Sequence, residues 1–244
     1  MTPRLNLLEH INRRKYFYIF IVLILFFIYY KFLLIGKLGT VYEEGIFSYR
    51  SWRIIEGDTL FSQIGDMRTP GHYFYFFIPI ILAGKLVDMS PIDMIIFIRI
   101  ILAVFEIFTF YIIYRILDIL EVNKYISIIL LMTIIISSFT LGWSVYANTE
   151  NIALLPFFLS IYIFLNLSKL ERFDTRMTIF LGFLVGVTIL IRHLSIIYYI
   201  PMLSYIILRF RKDMRTLLIF GTGMFISFLP ILIYLSINNT LFDK

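Results

Sequence analysis

The sequence predicts an all-α, polytopic membrane protein with about seven transmembrane helices and interfacial helices in its first outer loop. Of its 244 residues, 60% are hydrophobic and 16% are charged. This composition is too apolar for a soluble domain. Basic residues stand beside the apolar runs, so the net charge of +6 reflects membrane topology. We therefore expect membrane lipids as partners and no nucleic acid.

The first apolar run covers residues 16–35. It is long enough to cross a hydrocarbon core of about 30 Å as a helix. It is too long for the apolar region of a signal peptide, and no small-residue cleavage site follows it. We interpret it as a retained membrane anchor.

Further apolar runs predict six more spans, and their flanking charges predict the orientation. The predicted spans are 93–117, 125–146, 152–167, 178–191, 194–208 and 216–236. If the ambiguous stretch 73–87 lies flat on the outer face, all four basic groups beside the spans are cytoplasmic, whereas a crossing there would break the positive-inside bias. We therefore predict one membrane domain over 1–244 in the cell membrane, with a cytoplasmic amino terminus, an outer loop at 36–92 and six spans within 93–236.

Two adjacent carboxylates open the outer loop. Glu43 and Glu44 follow the first span, which holds them near the bilayer surface. A carboxylate in this place is suited to take a proton from a substrate hydroxyl. The alternative is that both glutamates only solvate a loop.

A second polar cluster precedes the aromatic stretch of the same loop. Asp66, Arg68 and His72 flank a Pro70-Gly71 turn. Arg68 and His72 are suited to neutralise a phosphate. The alternative is an ordinary turn that contacts lipid headgroups.

Charged residues also occur within or between the later spans. Arg99 and Glu106 lie seven residues apart in one predicted helix, which allows mutual compensation or contact with a polar cavity. Glu150, Arg192 and His193 are predicted to face the same side as Glu43. We expect these groups to converge on an anionic, lipid-borne substrate and to allow a divalent ion.

The missing motifs restrict the chemistry. The chain has no cysteine, so a disulfide or a thiolate metal site is excluded. A GxxxxGK[ST] loop and a GxGxxG turn are also absent. An activated donor therefore has to be membrane-borne.

The outer loop resembles that of the GT-C membrane glycosyltransferases, especially the branch of protein O-mannosyltransferases and aminoarabinose transferases. In that branch an acidic pair, a Gly-Asp turn and a basic-Pro-Pro/Gly segment precede a flat aromatic helix. The corresponding stretches here are Glu43-Glu44-Gly45, Trp52-Arg53-Ile54-Ile55-Glu56-Gly57-Asp58 and Asp66-Met67-Arg68-Thr69-Pro70-Gly71. Arg99, Asn148 to Glu150 and Arg192-His193 fall where the family carries an arginine, a second acidic residue and a Thr-Lys pair.

The resemblance implies inverting transfer of a sugar from a polyprenyl-phosphate donor to a lipid, glycan or protein acceptor on the outer face. It implies that Glu43 or Glu44 is the base or orients the acceptor hydroxyl. It assigns substrate binding to Asp66, Arg68, His72, Arg99, Glu150, Arg192 and His193, with Arg68, Arg192 and His193 stabilising the departing phosphate. Glu44 and Glu150 are the candidate ligands of Mg or Mn.

Two departures from the family leave alternatives open. Glu43 stands where the family usually has aspartate, which moves the carboxylate outward by one methylene. The chain stops at Lys244, soon after its seventh predicted span, where relatives continue. The alternatives are a truncated, partner-dependent or inactive relative that binds or transports a phosphorylated lipid, and a polymerase or ligase of lipid-linked oligosaccharide.

Overall fold

The computed structural model describes residues 3–60, 64, 70–137, 140, 142–169, 173–210 and 213–238, with side chains from Lys15 onward. Within these ranges the regular elements are helices, and the only β-type pairing there is an isolated bridge between Leu60 and Ile64. The helices are α1 (Pro3–Ile35), α2 (Tyr42–Ile55), α3 (Ile78–Lys85), α4 (Pro91–Ile119), α5 (Lys124–Ile136), α6 (Thr149–Lys169), α7 (Thr175–Ile191), α8 (Ile196–Phe210) and α9 (Met214–Ile237). A π-helical turn, Tyr73–Phe77, leads into α3, and 3₁₀ turns occupy Trp143–Val145 and His193–Ser195.

Five described helices are long and apolar enough to cross a membrane. They are Lys15–Ile35, Pro91–Ile119, Thr149–Lys169, His193–Phe210 and Met214–Ile237. Three shorter apolar helices accompany them, at Tyr73–Lys85, Lys124–Ile136 and Thr175–Ile191. The predicted fold class, an all-α polytopic membrane protein, is confirmed. The predicted orientation in the membrane stays a prediction.

One predicted helix is shorter than expected. The sequence pattern predicted a single helix over 125–146, but α5 ends at Ile136 and Ser137 adopts an extended conformation (ψ 141°). The Ser137 hydroxyl donates to the carbonyl oxygen of Ile134 at 2.9 Å, which satisfies one of the last carbonyl groups of the helix. Apolar composition alone did not reveal this break.

The outer-loop elements pack against the membrane helices. Phe47 of α2, Tyr73 and Phe77 of the π-helical turn, and Ile98 of α4 are all buried in one apolar cluster. The buried face of α2 consists of Glu44, Phe47, Ser51 and Ile54. Tyr49 and Trp52 lie on the other side of this helix and are exposed. The start of α2 is therefore fixed on the helical bundle.

Small residues bring α7 and α9 close together. A Cβ atom on Gly182 would lie 3.1 Å from the amide nitrogen of Met224 and closer still to the carbonyl oxygen of Phe220. A Cβ on Gly223 would lie 3.0 Å from the amide nitrogen of Phe183. Close backbone approach through small residues is the usual way that helices associate in lipid. This contact holds α7, the helix that Arg192 directly follows.

Candidate active site

A buried ion pair joins the outer loop to α4. Arg99 Nη2 lies 2.7 Å from Glu44 Oε2, and Arg99 Nε donates to Glu44 Oε1 at 3.0 Å. The side chains of both residues are at most 2% exposed. The paired, parallel geometry is the strongest form of arginine–carboxylate contact. The first turn of α2 is thereby fixed to α4.

The same guanidinium also binds the end of α1. Arg99 Nη1 donates to the carbonyl oxygens of Ile35 and Leu38, each at 2.8 Å, and Nη2 donates to that of Gly39 at 2.9 Å. The last carbonyl groups of a helix have no partner within the helix. Arg99 therefore supplies a partner to the last residue of α1 and to the turn that follows it, and it joins α1, α2 and α4.

The segment before α6 completes this junction. The backbone amide of Ala147 donates to Glu44 Oε1 at 3.3 Å. The Tyr146 ring centroid lies 5.3 Å from Arg99 Cζ, within the range of a cation–π interaction. Glu44 and Arg99 thus fix the position from which the chain enters α6.

A second, more exposed ion pair follows three residues later. Glu150 Oε1 in the first turn of α6 lies 3.0 Å from Arg192 Nη1, and the two side chains are 40% and 33% exposed. Arg192 directly follows α7 in an extended conformation. The next residue, His193, is exposed. A carboxylate and a guanidinium therefore meet at an accessible position, and an exposed histidine is the next residue in the chain.

The turn that carries His72 packs on the end of α7. A Cβ on Gly71 would lie 2.7 Å from the amide nitrogen of Ile191 and closer to the carbonyl group of Leu190, so only glycine fits here without movement. His72 is fully buried, with its ring centroid 4.4 Å from that of Phe47 and 4.0 Å from that of Tyr73. These contacts bring the outer loop next to Arg192.

The structure thus brings together several residues that the sequence singled out separately. Glu44 meets Arg99, and Glu150 meets Arg192. Glu43, next to Glu44 in the first turn of α2, is partly buried. The predicted substrate-binding residues Asp66 and Arg68 lie outside the described residues.

Arg99 and Glu106 do not compensate each other, although their spacing allowed it. Arg99 pairs with Glu44, whereas Glu106 Oε2 lies 2.9 Å from Lys31 Nζ. We did not single out Lys31 from the sequence. The signal was present, because a lysine inside an apolar span is itself unusual.

The described carboxylates do not by themselves form a metal site. Among the described residues, no group of three or more histidine, aspartate and glutamate side chains is placed to hold an ion. Glu44 and Glu150, the predicted ligands of Mg or Mn, each lie within 3.0 Å of an arginine nitrogen. We therefore derive no step through a metal, and the metal stays a prediction.

A comparison with protein families matches residues 90–236 to the dolichyl-phosphate-mannose-protein mannosyltransferase family. No curated protein and no solved structure matches the chain. The matched region runs from the residue before α4 to the end of α9 and contains Arg99, Glu150 and Arg192. Because it covers more than half of the 244 residues, the chain belongs to this family and is a membrane glycosyltransferase of the GT-C type.

Proposed function

We propose that this protein transfers a sugar from a polyprenyl-phosphate donor to an acceptor hydroxyl on the outer face of the cell membrane, by an inverting mechanism with Glu43 as base. The family match supports glycosyl transfer, and the Glu44–Arg99 contact supports the choice of base. Glu44 binds Arg99 through both oxygens and also accepts from Ala147, so its carboxylate is committed to holding the site. Glu43 is the adjacent carboxylate and is more accessible than the fully buried Glu44.

The reaction requires one proton transfer and one exchange of bonds at the anomeric carbon. Glu43 takes the proton of the acceptor hydroxyl as that oxygen forms a bond to the anomeric carbon. The bond between this carbon and the phosphate oxygen breaks on the opposite side of the sugar. The electron pair of this bond stays on the polyprenyl phosphate. Because the acceptor attacks from the face opposite the leaving phosphate, the configuration of the anomeric carbon inverts.

Arg192 is our candidate for stabilising the phosphate that departs. Negative charge grows on the leaving oxygen during bond cleavage, and a positioned cation lowers the barrier at that stage. Glu150 orients Arg192 through the 3.0 Å contact, and His193 adds donors on an exposed surface. We assign Arg68 the same role on the basis of the family resemblance.

The test is sugar transfer by the purified chain in lipid nanodiscs. The probes are dolichyl and undecaprenyl phosphates that carry radiolabelled mannose, offered with a serine- and threonine-containing peptide and with membrane lipid extract as acceptors. Loss of a base is expected to lower the rate by about 10²–10⁴-fold. We expect this loss for Glu43→Gln at unchanged protein yield.

Glu56→Gln is the matched control, because Glu56 directly follows α2 and its side chain is 52% exposed. Glu56 pairs with Lys85 on the surface, and such pairs contribute little. Glu56→Gln should therefore retain the parent rate within about twofold. Parent activity in Glu43→Gln would exclude this residue as the base. Donor binding without transfer by the parent chain, for every probe, would instead favour a protein that binds or transports a phosphorylated lipid.

A further inference from the structure

The mechanism above makes no use of a second buried charge pair, between Lys31 of α1 and Glu106 of α4. Lys31 Nζ lies 2.9 Å from Glu106 Oε2, and the side chains are 1% and 4% exposed. Both residues lie inside predicted spans, and ionisable residues there usually have a function.

This pair lies further along the same two helices that Arg99 joins. Glu106 follows Arg99 by seven residues, about two turns of α4, and Lys31 precedes Ile35 by about one turn of α1. Arg99 binds the carboxyl end of α1, whereas Glu106 binds its interior. The two contacts fix α1 against α4 at two levels.

Both charge pairs also contact the chain segment between α5 and α6. Lys31 Nζ donates a hydrogen bond to Ser144 Oγ, and Ser144 in turn donates to the carbonyl oxygen of Thr140. Ser144 lies in the short helix Trp143–Val145. Two and three residues later, Tyr146 and Ala147 contact Arg99 and Glu44, respectively. This segment, residues 142–148, leads directly to Glu150.

From these contacts we propose that Lys31 and Glu106 are positioning residues that hold the segment 142–148 and thereby set where Glu150 and Arg192 lie during sugar transfer. The proposal rests on the proposed function for its consequence in activity. Burying an ion pair in an apolar interior contributes little net stability, because desolvation offsets the attraction. Net stability therefore does not account for this buried pair, whereas a role in positioning the segment does.

An apolar double substitution separates positioning from stability. Lys31→Met with Glu106→Leu removes both charges together, so neither is left buried alone. We expect normal membrane insertion and yield. Displacement of catalytic groups by about 1 Å lowers turnover by up to about 10²-fold, so we expect kcat to fall by about tenfold to a hundredfold with KM for the donor nearly unchanged.

A labelling readout tests the segment without requiring activity. Val145 is 1% exposed and the chain has no native cysteine, so Val145→Cys provides a single buried thiol. Maleimide should react slowly with this thiol in the otherwise unchanged chain and several-fold faster when Lys31→Met and Glu106→Leu are added. Ser160→Ala is the control, because it removes a buried hydroxyl whose 2.8 Å contact is with Tyr199 in α8, away from the segment.

Ser144→Ala provides a second, milder variant that keeps both charges and removes the hydroxyl through which Lys31 contacts the segment, together with the hydrogen bond from Ser144 to Thr140. If the double variant does not fold, Ser144→Ala tests the proposal by itself. It should then raise the rate at which maleimide labels Val145→Cys and lower kcat, as expected for the double variant. Unchanged labelling in the variant that folds, or faster labelling with full kcat, would overturn the proposal. If the parent chain transfers no sugar, the proposed function fails, and the labelling result alone decides whether the pair holds the segment.

Discussion

The carboxylate of Glu44 lies between the guanidinium of Arg99 and the backbone amide of Ala147. Four parts of the chain therefore meet at one buried position: the end of α1, the start of α2, the first third of α4 and the segment before α6. Neither partner tolerates the loss of the other easily, because an unpaired charge would remain buried.

Replacing one residue of this pair should lower the free energy of unfolding much more than replacing both. We expect Arg99→Met to lower the free energy of unfolding by about 3–5 kcal/mol, as measured for broken buried pairs. Arg99→Met combined with Glu44→Leu should recover part of that loss, since no charge is left alone. Thermal unfolding in detergent measures both variants.

The exposed pair of Lys124 and Asp118 is the control for this comparison. Its side chains are 23% and 43% exposed, so Lys124→Met should cost no more than about 1 kcal/mol. Equal stability of Arg99→Met and of the double variant would contradict our interpretation of the buried pair.

The turn at Gly71 should be sensitive to a single methyl group. Gly71→Ala places a Cβ against the backbone of Leu190 and Ile191, so the turn or the end of α7 has to move. We expect a loss of about 1–3 kcal/mol, the usual cost of overpacking. Sugar transfer should fall as well, because Arg192 follows this end of α7.

Gly36→Ala is the control for this prediction, since nothing lies within 4 Å of a Cβ there. An equal loss of stability in Gly36→Ala would contradict the argument from close packing.

The sequence predicted the fold class, but it did not predict which of the candidate charges pair. Arg99 and Glu44 each stood out alone, yet 55 residues separate them and no local spacing rule connects residues on different helices. Lys31 was not predicted because mean apolarity over a span outweighs a single charge, although a lysine inside such a span is itself unusual. The break after α5 was not predicted because serine is common in helices in lipid. Whether Ser137 continues or ends the helix depends on its backbone conformation, which the sequence does not reveal.

The glycine contact between α7 and α9 predicts opposite effects for two identical substitutions. Gly182→Ala puts a Cβ against the backbone of Phe220 and should lower stability by about 1–3 kcal/mol. Gly221→Ala, in α9, meets nothing within 4 Å and should raise stability by about 0.5–1 kcal/mol, because alanine favours the helix over glycine. Thermal unfolding of both variants in the same detergent compares them. Destabilisation of similar size in both variants would contradict the argument from close approach, because nothing lies within 4 Å of a Cβ on Gly221.

The orientation of the outer loop gives the last prediction. Arg99 binds Ile35 and Leu38, so the carboxyl end of α1 and the amino-terminal part of α4 lie at the same level. This supports our prediction that the stretch 73–87 does not cross the membrane. Leu86 lies near the end of this stretch and is 86% exposed. In intact cells an impermeant maleimide should therefore label Leu86→Cys, whereas Lys169→Cys, at the predicted cytoplasmic end of α6, should react only after lysis. The reverse pattern would place the loop, and with it Glu43 and Arg192, on the cytoplasmic face, where transfer to an outer acceptor is impossible.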